Sequence, residues 1–147
     1  MPRAVISLGL TQIIGWGTTV YALGVLAKPI NADTGWRMDL VIAGITVALL
    51  ASGLVSTAIG RLIDRRGGRL VMVAGSAAMA LLQVVLAGAG SIAVYLAAWA
   101  LLGIAMRMAL YDAAFAALVQ VTPARGRTAI SYLTLFGSFA SSIFWPI

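Results

Sequence analysis

Cysteine and histidine are both absent from this 147-residue chain, and charged residues are scarce, at 10% of the total. Without cysteine there is no disulfide, no thiolate nucleophile and no cysteine-ligated metal. Without histidine the commonest metal ligand and the proton shuttle of neutral pH are missing too. What remains contains no nucleophile–base arrangement and no phosphate-cradling glycine loop, so the chain reads as a non-enzyme that needs no cofactor and no metal. Apolar residues take the space instead: 62% of the chain is hydrophobic and mean hydropathy is +1.04. Soluble domains are less apolar and far more charged. The solvent implied by this composition is lipid.

About 20 mainly apolar residues span the roughly 30 Å of hydrocarbon in a bilayer, at about 1.5 Å per helical residue. Five stretches qualify, near 4–27, 38–60, 70–88, 91–118 and 128–147. The first follows Arg3 and resembles a signal sequence, but it exceeds a typical h-region and further spans follow, so it is read as a retained helix. The fold expected is therefore all-α, a polytopic membrane protein of about five transmembrane helices.

Net charge is +6, with nine arginines and one lysine. In a soluble protein this would invite a nucleic-acid reading, but here the cations fall between the spans and no nucleic-acid partner is expected. If the helices alternate, Arg3, Arg61, Arg65, Arg66, Arg69, Arg125 and Arg127 share one side, and only Lys28 and Arg37 lie on the other. The positive-inside rule places the first group, with the N-terminus, in the cytoplasm. The opposite loop, 28–39, is read as external and balances Lys28 and Arg37 with Asp33 and Asp39, and Trp36 suits its interface. Gly88-Ala89-Gly90-Ser91 leaves room only for a tight external turn. Arginine in place of lysine fits a GC-rich bacterial source, hence an inner membrane.

The connector Gly60-Arg61-Leu62-Ile63-Asp64-Arg65-Arg66-Gly67-Gly68-Arg69 is read as a short charged loop. Its glycines permit a sharp turn, and Asp64 is placed to cap or face a helix N-terminus. The pattern resembles the G-x-L-x-D-R-x-G-x-R loop between the second and third helices of the major facilitator superfamily of secondary transporters. Gly60, Leu62, Asp64, Arg65, Gly67 and Arg69 match, and Gly68 stands where a second basic residue is often found. Thr122-Pro123-Ala124-Arg125-Gly126-Arg127 is similar to the connector after that family's fourth helix. Gly35-Trp36-Arg37, Gly53 and Gly75 resemble the monocarboxylate and oxalate/formate porter branch.

The resemblance implies most of an N-terminal six-helix bundle, a loop that latches two halves of a transporter, and alternating access for a small solute, an organic anion in the branch resembled. It covers nearly all 147 residues but little under half of such a transporter, so the chain is expected to be a piece whose C-terminal part, or an oligomeric partner, completes it. Trp99 stands before Gly103 where many members carry an arginine, and Gln120 stands where an acidic residue is common. The proton-coupling role of that arginine does not carry over. A small oligomeric channel and a noncatalytic subunit of a larger transporter remain alternatives; both account less well for the 60–69 pattern.

Two ionisable groups fall inside the spans, Arg107 and Asp112. Such groups are costly in hydrocarbon and usually face a cavity or a partner. Arg107 lies sixteen residues past Ser91, roughly 24 Å along a helix, in the cytoplasmic half of the membrane. Tyr95, Trp99, Gly103, Arg107 and Tyr111 recur every fourth residue and form one stripe, a candidate pathway wall in which a guanidinium pairs with a substrate carboxylate. The other reading is that Arg107 snorkels or pairs with Asp112, although five positions apart is a poor helical spacing. Asp112, the one carboxylate inside a span, is the candidate proton site. Gln12, Trp16 and Thr19 share a face of the first helix and are candidate substrate contacts, while Ser52, Ser56 and Gly60 are assigned to helix packing.

Overall fold

A computed structural model of the protein describes residues 2–144. The chain end Trp145-Pro146-Ile147, included in the last expected span, lies outside the described residues. Helices account for nearly all of the rest, and no strand occurs among the described residues. In order they are α1 (Pro2–Trp16), a π-helical turn (Gly17–Tyr21), α2 (Ala22–Thr34), α3 (Met38–Arg66), α4 (Gly68–Ala87), α5 (Ile92–Ala109), α6 (Tyr111–Val121), a 3-10 turn (Pro123–Arg125) and α7 (Gly126–Phe144).

Four helical segments are long and apolar enough to cross a membrane: 3–34, α3, α4 and 92–121. The protein is therefore a helical, membrane-embedded one. α7 has 19 residues but is more polar, interrupted by Ser131, Thr134, Ser138 and Ser141. Each of these hydroxyls donates back to a carbonyl three or four residues earlier, which removes a free donor from an exposed helix surface.

The helix ends depart from expectation most at the 60–69 connector. At 29 residues α3 is about 44 Å long, more than a bilayer core requires, so its charged last turns project as helix and are not a loop. Gly67 alone separates α3 from α4, with φ of 82°, a left-handed value suited to glycine. Gly60 does not turn the chain; it lies within α3. Asp64 occupies the exposed last turn of α3, and α4 receives no side-chain cap. At the other end the 88–91 turn is as short as expected, and Ser91 Oγ accepts from Val94 N at 3.3 Å to cap α5.

α5 and α6 form the axis of the bundle, with α3 and α4 against α5, α4 also against α6, and α7 along α1. Lipid tails are as apolar as leucine, so close backbone approach rather than hydrophobic drive holds such helices together. Gly103 illustrates this: a Cβ there would collide with the Ala48 carbonyl of α3. Gly68 does the same at the other end, since a Cβ would come within 2.6 Å of Ala117 N on α6. That contact, with Gln120 beside Gly67, sets the α3–α4 and α6–α7 connectors at one end of the bundle. The large apolar side chains left outside, such as Leu54 at 87% exposure and Leu81 at 66%, present a lipid-compatible surface.

Two buried clusters fill the interior. One gathers Val41, Met79, Tyr95, Trp99 and Leu102 and ends at Leu110; the other starts at Ala113 and joins Ile59, Val71, Leu118 and Leu133. The boundary is the break between α5 and α6. Overpacking of a close helix contact costs about 1–3 kcal/mol, so Gly103→Ala should lower the thermal stability of the detergent-solubilised protein by that amount. Gly53, with nothing within 4 Å, is the control, and Gly53→Ala should be neutral or slightly stabilising. Equal stability of both variants would show that α3 and α5 are not in close contact.

Candidate functional site

The helical path from 92 to 121 is interrupted at Leu110, whose φ of −85° and ψ of −156° are extended. No proline or glycine stands there. The interruption turns Arg107 and Asp112 toward each other, and Arg107 Nη1 lies 2.7 Å from Asp112 Oδ2. In a continuous helix five residues of separation would point the two side chains apart, so the break corrects the expectation that they pair poorly. Asp112 also lies in the first turn of α6, where the helix dipole favours a carboxylate.

A break at membrane depth releases carbonyls that water cannot satisfy. Gln12 on α1 is fully buried and its Nε2 donates to the Ala109 carbonyl at 3.3 Å. A second amide does the same at the π turn, where Gln83 Nε2 of α4 donates to the Thr18 carbonyl at 2.5 Å. Two backbone irregularities are thus each met by a glutamine from another helix.

The ion pair opens into a cleft of about 350 Å³ between α1, α3 and the α5–α6 break. Trp16, Ala48, Leu49, Ser52, Met106, Leu110 and Tyr111 line it with Arg107 and Asp112. The Trp16 and Tyr111 rings lie 5.7 Å apart at 43°. Trp16 Nε1 is buried and has no hydrogen-bond partner. The Arg107 and Asp112 side chains remain 35% and 50% exposed, so a small solute entering the cleft meets both.

The sequence-predicted stripe divides. Arg107 and Tyr111 reach the cleft, whereas Tyr95 donates its hydroxyl to the Val41 carbonyl at 2.8 Å and Trp99 packs at Gly44 of α3. Tyr95 and Trp99 instead wall a separate cavity of about 400 Å³ beside α2 and α4. Thr19 borders that cavity too, with its hydroxyl donating to the Gly15 carbonyl at 2.6 Å. Of the α1 candidates only Trp16 lines the Arg107 cleft; Gln12 serves the break behind it. Ser52, assigned above to packing, lines the cleft, and Gln83 was not singled out. The Arg–Asp spacing of five, which suits no helix face, was the available signal for the break.

The 60–69 residues lie at the arginine-rich end of the bundle. Arg61, Asp64, Arg65 and Arg69 are exposed there, Gly60, Leu62 and Gly67 are half-buried, and Asp64 forms no ion pair among the described residues. No family model matches the chain, and neither a curated protein nor a solved structure matches it.

Leaving a buried carbonyl without its donor costs about 1–3 kcal/mol. Gln12→Leu should therefore destabilise the protein by that amount in a detergent melt, and Gln12→Glu should be worse. Wild-type stability of Gln12→Leu would mean that the Ala109 carbonyl has another partner.

Proposed function

We propose that this chain is part of a secondary transporter of the major facilitator kind, moving a small carboxylate-bearing solute across a bacterial inner membrane by alternating access. The observation that carries the reading is the residue pattern from Gly60 to Arg69. Arginine excess alone accounts for a positive-inside end but not for the spacing of Gly60, Asp64, Arg65, Gly67 and Arg69.

The exposed position of Asp64 and its arginine neighbours supports the reading, because a latch must offer its charges outward to a second bundle. The cleft supports it as well: a discontinuous helix with charged groups at membrane depth suits a solute site, as in transporters built on broken helices. In this proposal α7 is a fifth span, the arginine-rich end is cytoplasmic, and a second bundle completes the pathway opposite the cleft.

These 147 residues contain no cysteine, so a direct test requires only that any cysteine elsewhere in the native polypeptide be replaced by serine. In the native polypeptide, a single Arg66→Cys should react with a membrane-impermeant maleimide only from the cytoplasm, and Gly90→Cys only from outside. Ser52→Cys, in the cleft, should react from one side at a time, and Asp64→Asn in the same protein should change the ratio of the two rates by about tenfold, or about 1.4 kcal/mol of conformational preference. A ratio untouched by Asp64→Asn would remove the latch, and with it the transport reading.

A further inference from the structure

We propose that the cleft at the α5–α6 break binds a small zwitterion, a molecule bearing a carboxylate and an ammonium group close together, such as a free α-amino acid. The inference deepens the transport reading and rests on it only for what happens to the ligand after binding.

Charge balance is the main argument. Arg107 and Asp112 are the two charged residues that lie away from the ends of the spans, and they neutralise each other at 2.7 Å. A simple anion taking Arg107 would strand the Asp112 carboxylate at membrane depth, and a simple cation taking Asp112 would strand the guanidinium. Either leaves an unpaired charge within a membrane span, which is the costly place for one. A zwitterion replaces both partners at once, its carboxylate on Arg107 and its ammonium on Asp112, and the site stays neutral throughout.

The lining fits the same ligand. Guanidinium binds a carboxylate through paired donors. Trp16 lines the cleft and its Nε1–H is a buried donor without a partner, which a carboxylate oxygen seated against the ring would satisfy. The Trp16 and Tyr111 rings line the same cleft and give it an aromatic wall, which is compatible with an ammonium group. A volume of about 350 Å³ lies at the small end of ligand clefts.

The test is calorimetric titration of the native polypeptide in lipid nanodiscs with three probes of one shape: 2-aminobutyrate, butyrate without the ammonium group, and propylamine without the carboxylate. Expected is a Kd for 2-aminobutyrate at least about tenfold below those of the other two. Asp112→Asn should erase the preference over butyrate, and Arg107→Gln the preference over propylamine. Should either variant fail to fold, Trp16→Phe keeps the ion pair and the ring but removes the donor, and should weaken 2-aminobutyrate binding severalfold. Equal binding of butyrate and 2-aminobutyrate, binding that ignores Asp112, or no binding of any probe each overturns the proposal. The labelling ratio of Ser52→Cys uses none of these probes, so the latch can fail while the zwitterion site stands, or the reverse.

Discussion

Inside hydrocarbon no water is at hand to pair a stray carbonyl, and this constraint organises the bundle. A chain that leaves the helix at Leu110 must find donors from other helices, and Gln12 provides one. Gln83 provides the matching bond at the π turn of the first span. Because those bonds make the break tolerable, two side chains that an unbroken helix would separate meet as an ion pair. The cleft and the border between the two buried clusters both fall at that place.

Packing obeys the same solvent. With lipid outside, apolar side chains gain little by turning inward, and large ones such as Leu54 and Leu81 remain on the surface. What draws α3 and α5 together is the absence of a side chain at Gly103, together with the Tyr95 hydroxyl bond to the Val41 carbonyl. Aromatic residues then bridge what backbones cannot reach: Trp36 rests on Tyr95 at 5.4 Å, and Tyr21 stacks on Phe144 at 6.3 Å.

Legibility from the sequence followed the strength of each physical signal. Long apolar runs mark spans because the bilayer sets their length, and the small residues of 88–91 mark a turn because nothing else fits between two helices. The 60–69 segment reads as a loop in composition, since charge and glycine signal loops, whereas a helix longer than the bilayer continues into water with its charges attached. Tyr95 and Arg107 share a periodic stripe, yet one is tied to α3 and the other opens into a cleft. Periodicity reports a helix face; it does not report which neighbour the face meets.

The sequence by itself determined that the protein is helical and lipid-solvated, that most of its charges gather toward the ends of the spans, and that Arg107 and Asp112 bring charge to the middle of one. These follow from composition and spacing, which the transfer of side chains into hydrocarbon makes decisive. The tertiary structure alone decided that the helix breaks at Leu110, a residue with no intrinsic bias to break it, that two glutamines from other helices satisfy the backbone, and that Trp16 and Ser52 stand beside the ion pair. Each of those depends on which helices touch, and such contacts join residues far apart in the chain, where local pattern carries no information.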